Sequence, residues 1–244
     1  MGELYIVGTP IGNLGDITLR ALETLKNADT IACEDTRHTL QLLNHFAIAK
    51  PLVSCHANDE LRASARIVSL LDAGKKVAYC TDAGTPGLSD PGAVLVRSAR
   101  AAGHRVIPIP GPSAFATLVS VCGFGGRGLL FDGFMSPKAS RRRARLAVLL
   151  EREEAFMLYE SPFRIAKLIA DIAGLAPGRQ VCVGRELTKI HEQIAIGSAA
   201  ELSARIAGGE GDPIPQKGEF AVLVAGKSDK SEIDDEAEES RSEG

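Results

Sequence analysis

Lys76 to Gly103 reads KVAYCTDAGTPGLSDPGAVLVRSARAAG, and its three parts decide the fold. Val77–Cys80 is a short apolar run of the kind that forms a buried strand. Thr81–Gly92 carries three glycines, two prolines and two acids, Asp82 and Asp90, but no lysine or arginine. The rest has apolar residues at helical spacing and closes on Gly103, a helix-terminating residue. Asp90 and Pro91 are expected as N-cap and first helical residue. Strand, glycine-rich loop and helix in that order make half of a βαβ unit, and ligands bind α/β proteins at such loops.

The same pattern extends both ways. Upstream, LYIVG (4–8), TIAC (30–33) and PLVSC (51–55) read as strands, separated by helices over 16–28 and 37–46. Asp16 is the expected cap of the first helix. Asn58 is the expected cap of a helix that ends at Gly74. Downstream, RVIPIPG (105–111) is a strand carrying prolines, hence at an edge or a strand end, and 112–122 is a helix. Strands alternating with helices imply a parallel, doubly wound sheet.

The alternation breaks at GFGGRG (123–128). These letters match the dinucleotide fingerprint, but a helix precedes them where the fingerprint needs a strand. They read instead as a hinge. Beyond it, LLFDGF, AFMLYE, QVCVGREL, HEQIAIG and EFAVLVAG read as strands, with helices over 138–151, 161–174 and 198–208. Two strands in succession without a helix imply an antiparallel pair and a mixed sheet. The expected architecture is therefore α/β with two domains. Residues 1–122 carry a parallel sheet, 123–128 a hinge and 129–226 a mixed sheet, followed by an acidic, disordered tail over 227–244. A ligand cleft between the two domains is the expectation for such a chain.

The tail distorts the overall charge. It holds eight acids and three bases, hence −5, so the whole-chain value of −3 leaves +2 for the body. The five cysteines (33, 55, 80, 122 and 182) form no CxxC and read as buried free thiols. The histidines lack metal-ligand spacing, so no metal is expected. No apolar run approaches the roughly 18 residues needed to span a bilayer, and the N-terminus is not a secretory signal. A cytoplasmic protein without membrane contact is expected.

GTPIGN (8–13), DAGTPGLSDPG (82–92) and PGPSA (110–114) each follow a strand of the first half. Parallel strands end on one side, so these loops should gather at one edge. Asp82 and Asp90 would repel phosphate, but a carboxylate suits a ribose hydroxyl, an amine or a cation. S-adenosyl-L-methionine combines ribose, an amino-acid tail and a sulfonium without phosphate, and is preferred over other nucleosides.

LYIVGTPIGNLGDITLRALETL, ACEDTR, DAGTPGLSDPG, PGPSA, YESPFR and ELTKIHE together resemble the tetrapyrrole-methylase superfamily, in order over residues 3–226. Within it they are similar to the bacterial methyltransferases that 2'-O-methylate a cytidine, cytidine 1402, of 16S ribosomal RNA at the decoding centre. Members often continue past the last strand into a helical extension, where this chain has its acidic tail. The resemblance implies a two-domain homodimer with S-adenosyl-L-methionine in the interdomain cleft. It implies cofactor contacts at Pro10, Asp82, Ala83, Gly84, Leu88, Ser113 and Ala114, and at Glu160, Leu187 and Phe220 from the second domain.

A ribose hydroxyl is a poor nucleophile, so a nearby base is expected. Glu34 and Asp35, just after a strand, are the candidates, with Arg37 to hold a phosphate; Asp35 would equally cap the following helix. Tyr159 and Glu160 are rivals, and Arg164 beside them is expected among the RNA-binding residues. Lys138, Arg141, Arg142, Arg143 and Arg145 crowd a helix N-terminus, where the helix dipole disfavours cations. Contact with RNA phosphates, within the small ribosomal subunit, is expected of them. With few aromatics, the chain is expected to recognise the shape of a folded RNA and not to stack bases. Methylation of a tetrapyrrole or of a modified protein side chain is the alternative, and gives the basic cluster no role.

Overall fold

The computed structural model describes residues 2–56, 59–125 and 128–228. The expected Asn58 cap, part of the 123–128 hinge and nearly all of the acidic tail lie outside them.

The chain divides into two compact units between Ala114 and Phe115. The first holds strands β1 (Glu3–Val7), β2 (Thr30–Cys33), β3 (Leu52–Ser54), β4 (Lys76–Cys80) and β5 (Arg105–Ile109). Helices α1 (Leu19–Asn27), α2 (Thr36–His45), α3 (Glu60–Asp72) and α4 (Ala93–Ala101) connect them. The sheet runs β3-β2-β4-β1-β5 with every pairing parallel. Side-chain alternation divides its core in two. Val7, Leu25, Ile31, Leu43 and Ala78 pack on one face, and Leu4, Ile67, Leu71, Tyr79 and Leu95 on the other. Strand β5, which carries Pro108, is an edge, one of the two placements expected from its proline.

Two helix starts differ from expectation. Asp16 does not cap α1. It lies in a single 3₁₀ turn that Asn13 closes by accepting the Gly15 amide, and Thr18 caps α1 by accepting the Ala21 amide at 3.1 Å. Asp90 and Pro91 do not start α4. Gly92, at φ 128°, is its N-cap, and the missing acceptor comes from Glu60 of α3. Asp35 does cap α2, accepting the Arg37 amide at 2.8 Å.

Helix α5 (Ala114–Cys122) falls with the second unit, where the sequence placed it in the first. The cause is packing. Phe115 meets Phe131 edge-on at 5.6 Å, and a Cβ on Gly184 would stand 2.8 Å from Leu118. This unit holds β6 (Leu129–Phe134), β7 (Ala155–Glu160), β8 (Gln180–Arg185), β9 (Gln193–Ser198) and β10 (Phe220–Val224), with α6 (Ala139–Leu150), α7 (Ile165–Leu175) and α8 (Ala199–Ile206). The order is β6-β7-β10-β8-β9. Only β6 and β7 pair in parallel, so the sheet is mixed as expected. Because β10 runs opposite to both neighbours, β6, β7 and β8 all end at one edge. A core containing Leu146, Phe156, Ile169, Leu202 and Val222 fills the face under α6, α7 and α8. All five cysteines are buried and free.

Candidate active site

The three loops of the first unit meet. Thr9 and Gly84 exchange backbone hydrogen bonds, at 2.9 and 3.0 Å, joining the loop after β1 to the loop after β4. Gly8 lies against Gly111, and a Cβ on Gly111 would stand 2.6 Å from the Gly8 carbonyl oxygen. Thr85 Oγ1 donates to the Pro112 carbonyl at 3.4 Å. Gly84 takes φ 75°, which favours glycine. The gathering of 8–13, 82–92 and 110–114 at one sheet edge is thus built from backbone contacts that side chains would prevent.

Beside this junction, on the α2 side, lies a cavity of about 230 Å³. Pro10 and Asp82 line it, together with His38, Thr39 and Leu42 of α2, and Cys80. Ala83, Gly84, Leu88 and Ser113 belong to the joined loops but not to the cavity lining, and Ala114 opens α5. Sequence reading missed the α2 residues. The available signal was that α2 begins within CEDTR (33–37), directly after β2, so its first turns must face the same edge.

The acids behave differently from one another. Asp35 caps α2 and holds Arg37 at 2.7 Å, and these bonds push its carboxyl far below the usual range. Such a group is a poor proton acceptor. Glu34 is half-buried, and burial first, then the charge of Asp82, raise its carboxyl. Asp82 accepts the Asp35 amide at 3.1 Å. Burial, then the charge of Glu34, raise Asp90 to about 6, while a Thr81 hydrogen bond partly counters this. The edge is therefore acidic, and its three loops offer phosphate no lysine or arginine. Backbone amides, carbonyls and Asp82 can hold a cationic nucleoside.

Residues 3–203 match the model of the tetrapyrrole (corrin/porphyrin) methylases. The chain belongs to the tetrapyrrole methylase family. It is 44% identical over 230 residues to the ribosomal RNA small subunit methyltransferase I of Xylella fastidiosa, covering 94% of this chain and 83% of that protein. The protein of the same name from Thermotoga maritima is 41% identical over 227 residues, covering 93% and 100%. Among solved structures, the fold resembles uroporphyrin-III-C-methyltransferase from Thermus thermophilus, at TM-score 0.63 and 22% identity over 93% of this chain and 95% of that one. The methyltransferase CobJ aligns at TM-score 0.68 and 18% identity, covering 93% and 95%. At such identities the likeness shows the methylase fold alone.

The second-unit residues implied by the family resemblance are neighbours of one another. Phe220 of β10 pairs with Glu160 of β7 on one side and Arg185 of β8 on the other. The Glu160 carboxylate is buried, held by Arg164 at 2.7 Å and the Ser161 amide at 2.8 Å. It braces the turn before α7 and is not a free base. The Phe220 side chain lies in the core, which leaves only its backbone to a ligand. Leu187 is buried against Gly184.

The basic cluster does not act as one. Arg142 is 5% exposed and holds Asp171 with Nε at 2.8 Å and Nη2 at 2.7 Å, so it is a core ion pair and not an RNA contact. Arg145 is bound to Asp132, and Arg143 lies 3.6 Å from Asp171. Lys138 and Arg141 are exposed, and among the described residues neither has an acid within ion-pair distance. Of the cations singled out in the sequence, these two remain wholly available to phosphate.

Proposed function

We propose that this chain is an S-adenosyl-L-methionine-dependent methyltransferase that 2'-O-methylates the ribose of a cytidine in 16S ribosomal RNA. It would act in the cytoplasm, as a homodimer, on the small ribosomal subunit. One observation carries the reading: the Thr9–Gly84 bridge and the Gly8–Gly111 contact gather three cation-free loops into an acidic, backbone-lined edge. The names of relatives more than 40% identical along most of this chain point to ribosomal RNA as substrate.

The residues fit the cofactor. Pro10, Asp82, Ala83, Gly84 and Leu88 would hold it, with Ser113 and Ala114. The close approach at Gly8 and Gly111 gives it backbone in place of side chains. Asp82 suits a ribose hydroxyl or the positive sulfonium, which when bound supplies a methyl group already activated for displacement. The protein's task is then alignment and exclusion of water. The bound cofactor would supply its methyl carbon to the ribose O2', the bond from that carbon to sulfur breaking as the new one forms. Glu34 would take the hydroxyl proton, since its raised carboxyl makes it a better acceptor than Asp35.

The test is incubation with radiolabelled cofactor and either undermethylated small ribosomal subunits or a porphyrinogen, followed by mapping of the modified nucleotide. Label at a cytidine 2'-oxygen is expected. Label only in the porphyrinogen would establish the tetrapyrrole alternative instead.

A further inference from the structure

The edge of the second sheet where β6, β7 and β8 end carries three bare apolar side chains that the cofactor site does not use. Phe134, the last residue of β6, is 56% exposed. Phe163, in the turn after β7, is 88% exposed. Ile190, in the loop after β8, is 98% exposed. Adjacent strands lie about 4.8 Å apart, so β7 and β8, separated only by β10, end roughly 10 Å apart. Monomeric proteins seldom leave several large apolar groups this bare along one sheet edge without a partner to meet them.

These side chains stand on rigid supports. The Ile190 loop contains two non-glycine residues in the left-handed region, Glu186 at φ 51° and the β-branched Thr188 at φ 68°. Such strain persists only where the surroundings enforce it, and it clusters at functional positions. Here Lys189 binds both Glu186 and Glu219 at 2.9 Å, and Arg185 donates to the His191 carbonyl at 3.0 Å. Around Phe163, Arg164 is tied to Glu160 and its amide to the Ser161 carbonyl at 3.1 Å. Order is fixed in advance on both loops, so contact there costs little conformational entropy.

The charges match one partner. Arg164 offsets Glu160, Lys189 is shared by Glu186 and Glu219 beside Arg185, which itself donates only to carbonyls, and Lys138 and Arg141, beyond the end of β6, have no acid within ion-pair distance among the described residues. Exposed rings and an aliphatic group along one edge, with free cations at its β6 side, suit an unpaired nucleic-acid strand, which needs apolar faces for its bases and charge for its phosphates.

We propose that this edge binds an unpaired stretch of RNA, with Phe134, Phe163 and Ile190 against bases and Lys138 and Arg141 against phosphates. The proposal rests on the reading of RNA as substrate and replaces recognition of RNA shape alone, expected from the low aromatic content, with stacking. It is tested on the full chain with a fluorescein-labelled single-stranded RNA of about 12 nucleotides, free or annealed to its complement. F163A and I190A should each weaken single-strand binding about tenfold. F163W should restore it, and cofactor affinity and thermal unfolding should not change. V148A, which removes a side chain on α6 as exposed as Phe134, should bind as wild type. Unchanged single-strand affinity in F163A and I190A would overturn the proposal. So would equal losses with single- and double-stranded RNA, or a shift in sedimentation showing that the patch joins two copies of this chain. If the wild type methylates ribosomal subunits while these variants bind normally, only this inference fails. If the wild type does not methylate them, the proposed function fails first.

Discussion

Glu60, in the first turn of α3, accepts the Gly92 amide at 2.8 Å and the Val94 amide at 3.1 Å, so one carboxylate caps a second helix. It supplies what Asp90 does not, and ties the end of the glycine-rich loop to the neighbouring helix. Gly92 itself rests on Tyr79, whose ring would lie 2.9 Å from an added Cβ. E60A should lower stability by about 1–2 kcal/mol, the usual cost of a lost cap with orphaned amides. E60Q keeps an acceptor oxygen and should lose less. Urea denaturation measures both, and equal losses would show that the capping bonds are not what matters.

The Gly8–Gly111 approach predicts a contrast between glycines. An added methyl at Gly111 meets backbone at 2.6 Å, which cannot move aside without separating the two loops. G111A should cost about 1–3 kcal/mol and weaken cofactor binding with it. Gly174, inside α7, has nothing within 4 Å of its added Cβ. G174A should be neutral or stabilise by up to about 1 kcal/mol, because alanine is the better helix former. Thermal melts and cofactor titrations on the two variants settle the contrast.

The first sheet was legible because each of its strands is a short apolar run followed by punctuation, and a parallel topology forces Gly8, Gly84 and Gly111 to the same edge. Helix starts were harder to read. Asp16 and Asp90 have the chemistry of caps, but Thr18 and Glu60 make the bonds, the latter from a different helix. Arg142 could not be read from sequence either. Nothing local distinguishes it from Arg141, and only Asp171, a helix away, turns it inward. Phe163 and Ile190 looked like ordinary apolar residues within motifs, and their exposure is a property of folded loops.

Asp90 gives a pH signature. Its carboxyl is raised by burial to about 6, above its ordinary value of 3.8. The folded state therefore holds a proton that the unfolded state releases between those values, and stability falls as pH rises through that window. Above it the deficit is constant. D90N removes the buried charge and keeps an acceptor for Thr81. After allowance for solvent screening it should gain about 1–2 kcal/mol at pH 7.5 and nothing below the unfolded value. Urea unfolding of D90N and wild type at both pH values tests this. An equal gain at both would place the effect in packing.

Arg142 and Arg141 are neighbours with opposite roles, and single substitutions should separate them. R142A leaves the half-buried Asp171 with only Arg143, at 3.6 Å, and should cost up to about 3 kcal/mol, the lower end of what breaking a buried pair costs. Any loss of RNA binding by this variant should track its unfolding. R141A removes an exposed cation with no described acid partner and should change stability by less than about 0.5 kcal/mol. Its effect should appear in the salt dependence of RNA binding, with the slope of log affinity against log salt falling by about one phosphate contact. Chemical denaturation and binding isotherms at several salt concentrations read the two effects independently. A normal melt for R142A with a reduced salt slope would place its guanidinium on RNA and refute the internal ion pair as its role.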